Sequence, residues 1–207
     1  RLVLGTAQTA AIVVAPGASE QELYAAGRLQ THIERRFKET FPVLTADKLG
    51  GAVKQVYEFS GTLMEDLPFN GFTIAFAERN GVDWITIRGA DMGGLIYGGE
   101  AFFDLIRKDV DGVAKVTVAA VKDWPSIPWR GRPHSVMAQQ IRPGQLDAYI
   151  HARINYSDFR DDPDQPATVK MDARKSSMGC PPGKPIDTEL FHRVFKEYKK
   201  RAVFVYG

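Results

Sequence analysis

The chain has 207 residues, 44% of them hydrophobic and 25% charged, the composition of a globular protein. The 27 Lys and Arg against 25 Asp and Glu leave a formal net charge of +2, so no large one-sign field exists to drive nucleic-acid or membrane-surface binding. No apolar run approaches the roughly 18–20 residues a membrane span needs, and the lone Cys180 excludes an intrachain disulfide framework and a Cys-rich zinc site.

Ala11 to Ala15 reads as a short buried strand closed by Pro16-Gly17. Ser19 followed by Glu22 forms a capping box, and a helix follows. Its apolar stripe runs Leu23, Ala26, Leu29, Ile33, Phe37, and Pro42 ends it. Val53 to Phe59 is a further strand. Phe72, Ile74 and Phe76 alternate, Asn80-Gly81 supplies a hairpin turn, and Val82 to Arg88 returns. Asp91 caps a second helix whose buried face is Leu95, Phe102, Leu105 and Ile106. A strand over 114–121 closes the series. Strands pairing as hairpins with intervening helices predict an α+β domain over residues 1–121.

The character changes at Lys122. A Pro- and Trp-rich connector, Asp123-Trp124-Pro125-Ser126-Ile127-Pro128-Trp129, leads into a strand over about 129–137. A helix from Pro143 to Arg153 follows, then a strand from Ile154 to Phe159 and a long polar loop over 161–185. A helix from Asp187 to Lys200 and a strand from Ala202 to Tyr206 complete it. The β-α-β-α-β order over 122–207 predicts a parallel sheet or the first part of a (β/α) barrel, with any site at the C-terminal strand ends. The hydrophobic run Ala202 to Tyr206 predicts a longer protein, because a strand edge is usually covered.

Few side chains form a chemical constellation. Gly89 to Gly99 opens a helix, where glycines can cradle phosphate, but its spacing fits neither phosphate-binding fingerprint, and close helix-on-sheet packing is the plainer reading. His32, His134, His151 and His192 contain no i, i+4 pair and no H-E-x-x-H, which excludes a zinc protease. His32 and His192 sit on helices, whereas His134 falls near the end of the first barrel-type strand. Asp161-Asp162 precedes Pro163 and reads as a loop opener, and extended neighbours face opposite ways. Ser135, Ser176, Ser177 and Cys180 have no His or Asp tied to them. Trp124, Trp129, Tyr149, Tyr156 and Phe159 collect near the connector, and for the two tryptophans interdomain packing is expected.

Taken together, a small α+β domain, the connector Asp123 to Gly131 and a (β/α) series resemble the β-N-acetylhexosaminidases of glycoside hydrolase families 20 and 84. Gly89 to Ile106 looks like the helix of their N-terminal domain, of zincin-like topology (the hexosaminidase domain 2 type). Trp129-Arg130-Gly131 looks like the entry into their first barrel strand, Ala152 to Asn155 like their second, and Phe204-Val205-Tyr206 like their third. Phe159 to Pro163 is similar to a family 84 loop. The resemblance implies a truncated barrel start over 122–207 and a carbohydrate substrate, with no cofactor and no metal. The full protein would cleave N-acetylhexosamine-type glycosides by substrate-assisted retention, outside the cell or in the periplasm. The family carboxylates follow a fourth strand, so no catalytic residue is expected in this chain. Arg160 and His134 are the expected sugar contacts, with Arg132 and Asp162 behind them.

There are departures. Ser135 and Ala138 stand where family 20 carries an Asp and a sugar-gripping Arg. Arg160 stands where family 84 has Lys, keeping the charge but not the shape. A second reading is therefore a non-catalytic carbohydrate-binding or scaffold protein that keeps the layout. A third makes residues 1–121 an assembly module.

Overall fold

A computed structural model describes residues 1–132, 143–158 and 188–206. The chain divides into two compact units, Arg1–Pro128 and Trp129–Gly207. The break falls inside the Pro- and Trp-rich connector, whose first residue, Asp123, is held in the first unit's main sheet.

In the first unit, β1 (Leu2–Val3) is followed by β2 (Ala10–Val14), a strand buried at every position. Helix α1 (Glu20–Phe37) starts on the expected capping box. The Glu22 amide donates to Ser19 Oγ at 3.2 Å, and the Ser19 amide donates to Glu22 Oε2 at 2.9 Å. The helix stops at Lys38, which is left-handed (φ 66°), and not at Pro42. Its buried face runs through Glu22, Ala26, Leu29 and Ile33. Leu23 is instead half exposed, since it lies about 100° round the helix from Glu22.

After β3 (Val43–Leu44) and a 3-10 turn come β4 (Gln55–Ser60), β5 (Phe72–Arg79) and β6 (Val82–Gly89). Asn80 and Gly81 both have positive φ, the backbone a two-residue hairpin turn needs. Helix α2 (Met92–Phe103) ends earlier than its hydrophobic pattern suggests. Ile106 does not extend that helix; it opens β7 (Ile106–Lys108), which turns back into β8 (Ala114–Val116). The single strand expected over 114–121 is thus two. β8 pairs in a small antiparallel sheet, β1-β8-β7, while β9 (Val121–Asp123) joins the main sheet.

The main sheet has the order β3-β2-β4-β6-β5-β9. Strands β3, β2, β4 and β6 are parallel, and β5 and β9 are the antiparallel additions. It is therefore a mixed sheet, and hairpin pairing describes only its β5–β6 side. Both helices pack on the face carrying Tyr57, Phe59, Phe72 and Ile87, and Tyr57 meets Phe102 at 5.5 Å between ring centroids. Between the helices Arg28 reaches Glu100 at 2.6 Å. Burial pushes the Tyr57 phenol's pKa up; its hydroxyl donates to Gln55 Oε1 at 2.5 Å.

The second unit runs β10 (Gly131–Arg132), α3 (Pro143–His151), β11 (Tyr156–Asp158), α4 (Thr188–Lys200), β12 (Phe204–Tyr206). The strands form one parallel sheet in the order β10-β11-β12. Each helix is followed by a left-handed residue, Arg153 (φ 55°) after α3 and Ala202 (φ 52°) after α4. Those residues swing the chain back to start the next strand, and the core beneath holds Leu146, Ile150, Tyr198 and Val203. Among the described residues this is a β-α-β-α-β series; the barrel it resembles belongs to the proposal below.

Candidate functional site

Parallel strands present their C-terminal ends together, and ligands of (β/α) proteins sit there. In the second unit those ends are Arg132, Asp158 and Tyr206, brought level by the register that pairs Arg132 with Ser157 and Asp158 with Tyr206. Of the four residues expected from sequence to touch a sugar, Arg132 is thus the last residue of β10. His134, Arg160 and Asp162 lie outside the described residues, as do Phe159, Asp161, Ser135, Ser176, Ser177 and Cys180. In sequence, His134 follows β10 closely, and Arg160 and Asp162 follow β11.

What holds the strand ends in place is well defined. Asn155 is fully buried at the start of β11, and its Oδ1 accepts from the Arg130 amide at 2.8 Å. The Asn155 amide donates back to the Arg130 carbonyl at 3.0 Å, and the Asn155 carbonyl accepts from the Phe204 amide at 2.8 Å. One residue therefore ties all three strands at their N-terminal ends. Arg130 Nε donates to the Arg153 carbonyl at 2.7 Å, placing a cation at the C-terminal end of α3, where the helix dipole favours it. A Cβ on Gly131 would overlap the ring of Tyr156, so that ring closes over the first strand only because position 131 has no side chain. Trp129 meets Phe204 edge to face at 5.4 Å. The Trp129-Arg130-Gly131 motif and Asn155 are thus a latch between strands.

A second anchor escaped the sequence reading. Arg201, 4% exposed, pairs with Asp147 Oδ1 of α3 at 3.0 Å and with Glu197 Oε2 of α4 at 2.5 Å. The Glu197–Arg201 spacing of i, i+4 was a visible signal. Asp147, distant in sequence, gave none.

The glycine-rich start of α2 is a packing device. Asp91 fills the helix N-terminus itself: its Oδ1 accepts from the Gly94 amide at 2.8 Å and from Asn70 Nδ2 at 2.9 Å. Its Oδ2 accepts from the Asn70 amide at 2.7 Å. Gly94 lies against the Gly71 carbonyl, and a Cβ on Gly98 would come within 2.8 Å of Ile87. The histidines scatter. His32 stacks on Phe103 at 4.2 Å, and His151 and His192 are exposed. Among the described residues, no group of three or more His, Cys, Asp or Glu could hold a metal ion. No described helix is long and apolar enough to cross a membrane.

Comparison of this fold with solved structures is informative where sequence is not. No family model matches the sequence, and a search of curated proteins finds no match. The structure, however, is similar to the chitobiase of Flavobacterium johnsoniae, with a TM-score of 0.66 and 16% identity over 99% of this chain. Over nearly its whole length the chain has the fold of the N-terminal third of family 20 hexosaminidases and chitobiases. A mutant Streptomyces plicatus β-hexosaminidase in complex with its product GlcNAc matches 97% of the chain at a TM-score of 0.61 and 14% identity. A family 138 glycoside hydrolase targeting pectin rhamnogalacturonan II matches 96% at a TM-score of 0.58 and 15% identity. At such identities the likeness is one of fold. The chain covers only 31% of the chitobiase and 41% of the hexosaminidase.

Proposed function

We propose that the chain is the N-terminal part of a glycoside hydrolase acting on N-acetylhexosamine-type glycosides. In this reading the second unit supplies the first strands of a (β/α) barrel. The parallel register that levels Arg132, Asp158 and Tyr206 at one sheet end is the observation that carries it. The fold likeness to family 20 enzymes supports the substrate class. Arg132, His134, Arg160 and Asp162 would then bind sugar hydroxyls, while the carboxylic acid that protonates the leaving oxygen comes from a later strand. In substrate-assisted retention the acetamido oxygen attacks the anomeric carbon, so the enzyme needs no carboxylate nucleophile. An enzyme of this kind would work outside the cell or in the periplasm.

The test uses the longer protein and two aryl β-glycosides, one N-acetylated and one N-trifluoroacetylated. Fluorine withdraws electrons from the attacking oxygen, so the second substrate should turn over at least tenfold more slowly. Equal rates would remove the substrate-assisted mechanism. No turnover, with retained binding of GlcNAc, would favour the alternative of a non-catalytic carbohydrate-binding protein. The pectin-directed match gives a specific reason to include a rhamnogalacturonan fragment beside the two glycosides.

A further inference from the structure

The main sheet's other face, turned away from α1 and α2, carries a groove of about 460 Å³. Register builds its floor. Thr73 and Ala75 of β5 stand opposite Arg88 and Thr86 of β6, and Lys122 of β9 stands opposite Thr73 from the other side. Lys122 and Arg88 therefore flank Thr73, each one strand spacing of about 5 Å away. Arg79 stands at the far end of β5, its guanidinium 4.5 Å from the centroid of the Trp84 ring. Ala75 and Ala77 leave the depression between these cations.

The anions nearby are weaker partners. Asp66 reaches Lys122 at 3.3 Å from an exposed position, where a pair contributes little. Glu58 accepts a hydrogen bond from Thr86 Oγ1 at 2.8 Å. Arg88 is exposed and makes no side-chain hydrogen bond or ion pair among the described residues. The groove thus has an excess of positive charge over a mostly aliphatic floor.

The sheet edge beside it is also open. β9 pairs with β5 only at Phe72, Thr73 and Ile74, whereas β5 continues to Arg79. Beyond Ile74, no described strand pairs with that edge of β5, and an unpaired edge is a template for another strand. None of the groove's lining residues is aromatic, and the ring beside it, Trp84 opposite Ala77, already carries the Arg79 guanidinium over it, which leaves a poor stacking platform for a sugar face.

We propose that this groove takes an extended acidic peptide segment of another protein, added as a strand along the free edge of β5. Main-chain hydrogen bonds hold the segment, and its outward carboxylates stand over Ala75 and Ala77 among Arg79, Arg88 and Lys122. This site is independent of any glycosidase activity.

The experiment is fluorescence anisotropy of the full chain with a labelled peptide alternating Glu and Val. Its counterpart alternating Lys and Val and the non-peptide anion tetragalacturonate serve as comparisons. The Glu peptide should saturate, and Arg88→Glu and Lys122→Glu should each weaken it about tenfold without moving the melting temperature. If a reversal unfolds the chain, Arg88→Gln and Lys122→Gln replace it, with a weaker loss expected. Hydrogen exchange of the amides in Phe76–Arg79 should slow when the peptide binds. The proposal is overturned if the Glu peptide fails to bind or the charge variants bind it equally. Unchanged exchange along β5, or tetragalacturonate binding in its place, overturns it too.

Discussion

Gly131 lies directly beneath the ring of Tyr156, its pairing partner on the neighbouring parallel strand. A methyl group there has nowhere to go unless the ring leaves. Gly131→Ala should therefore destabilise the second unit by about 1–3 kcal/mol, the usual penalty for overpacking. Tyr156→Ala removes the obstacle, so Gly131→Ala in that background should be nearly neutral. Chemical denaturation of the four proteins of this cycle measures the coupling. Additive effects would show that the ring does not set the requirement for glycine.

Arg201 joins α3 to α4 through Asp147 and Glu197, and the desolvated partner is the arginine. Removing both acids takes these two carboxylates from a buried guanidinium that keeps the Glu197 carbonyl at 3.1 Å, at a cost of about 3–5 kcal/mol. Arg201→Met leaves two carboxylates that water still reaches, and should be the milder change. Thermal melts of Arg201→Met and of the Asp147→Ala, Glu197→Ala double variant test that order. A more damaging Arg201→Met would mean that the arginine's packing outweighs its charge.

Local rules were legible where they are chemically local. The capping box at Ser19 and Glu22, the Asn80-Gly81 turn and the Asp91 cap each depend on residues within one turn of chain, and each is where the sequence places it. Parallel pairing of β2, β4 and β6 was not legible. Those strands meet across long connections, and a buried run such as Ala10–Val14 does not announce its neighbour's direction. Leu105 and Ile106 continue α2's apolar pattern, but Ile106 is recruited into β7 by its pairing with Val116. At the candidate site, Trp129-Arg130-Gly131 was recognisable as a motif, yet its role as a latch depends on Asn155 and Tyr156. Asp147 and Arg201 are 54 residues apart, beyond the reach of any spacing rule.

Glycine and alanine exchanges separate open from crowded positions. In α1, Gly27 has nothing within 4 Å of where its Cβ would be. Gly27→Ala should stabilise the chain by about 0.5–1 kcal/mol by removing helix-interior glycine. In α2, Gly98→Ala brings a methyl against Ile87 and Phe72 and should destabilise by about 1–3 kcal/mol. Ala202 adopts φ 52°, so Ala202→Gly should relieve a left-handed strain of roughly 1 kcal/mol. Melting temperatures rising for Gly27→Ala and Ala202→Gly, and falling for Gly98→Ala, are the expected pattern. A rise for Gly98→Ala would mean that α2 can move off the sheet.

Acid should loosen the β7–β8 turn. Lys115 Nζ donates to Asp109 Oδ2 at 3.0 Å, and this contact is the first cause holding the Asp109 carboxyl below its ordinary pKa of 3.8. For Asp111 the first cause is the Val113 amide, which donates to Oδ1 at 2.9 Å, with Lys115 adding to it. Both acids have a lower pKa folded than unfolded, so both favour the folded turn above the unfolded value. That contribution fades as pH falls through the folded value, and Lys115, whose own pKa is raised, stays charged throughout. Exchange protection of the Val113 amide, followed by NMR from pH 6 to pH 2, should therefore drop below about pH 4. In Asp109→Asn, Asp111→Asn that dependence should flatten, because neither side chain titrates. A pH profile unchanged by the double substitution would place the acid sensitivity elsewhere in the sheet.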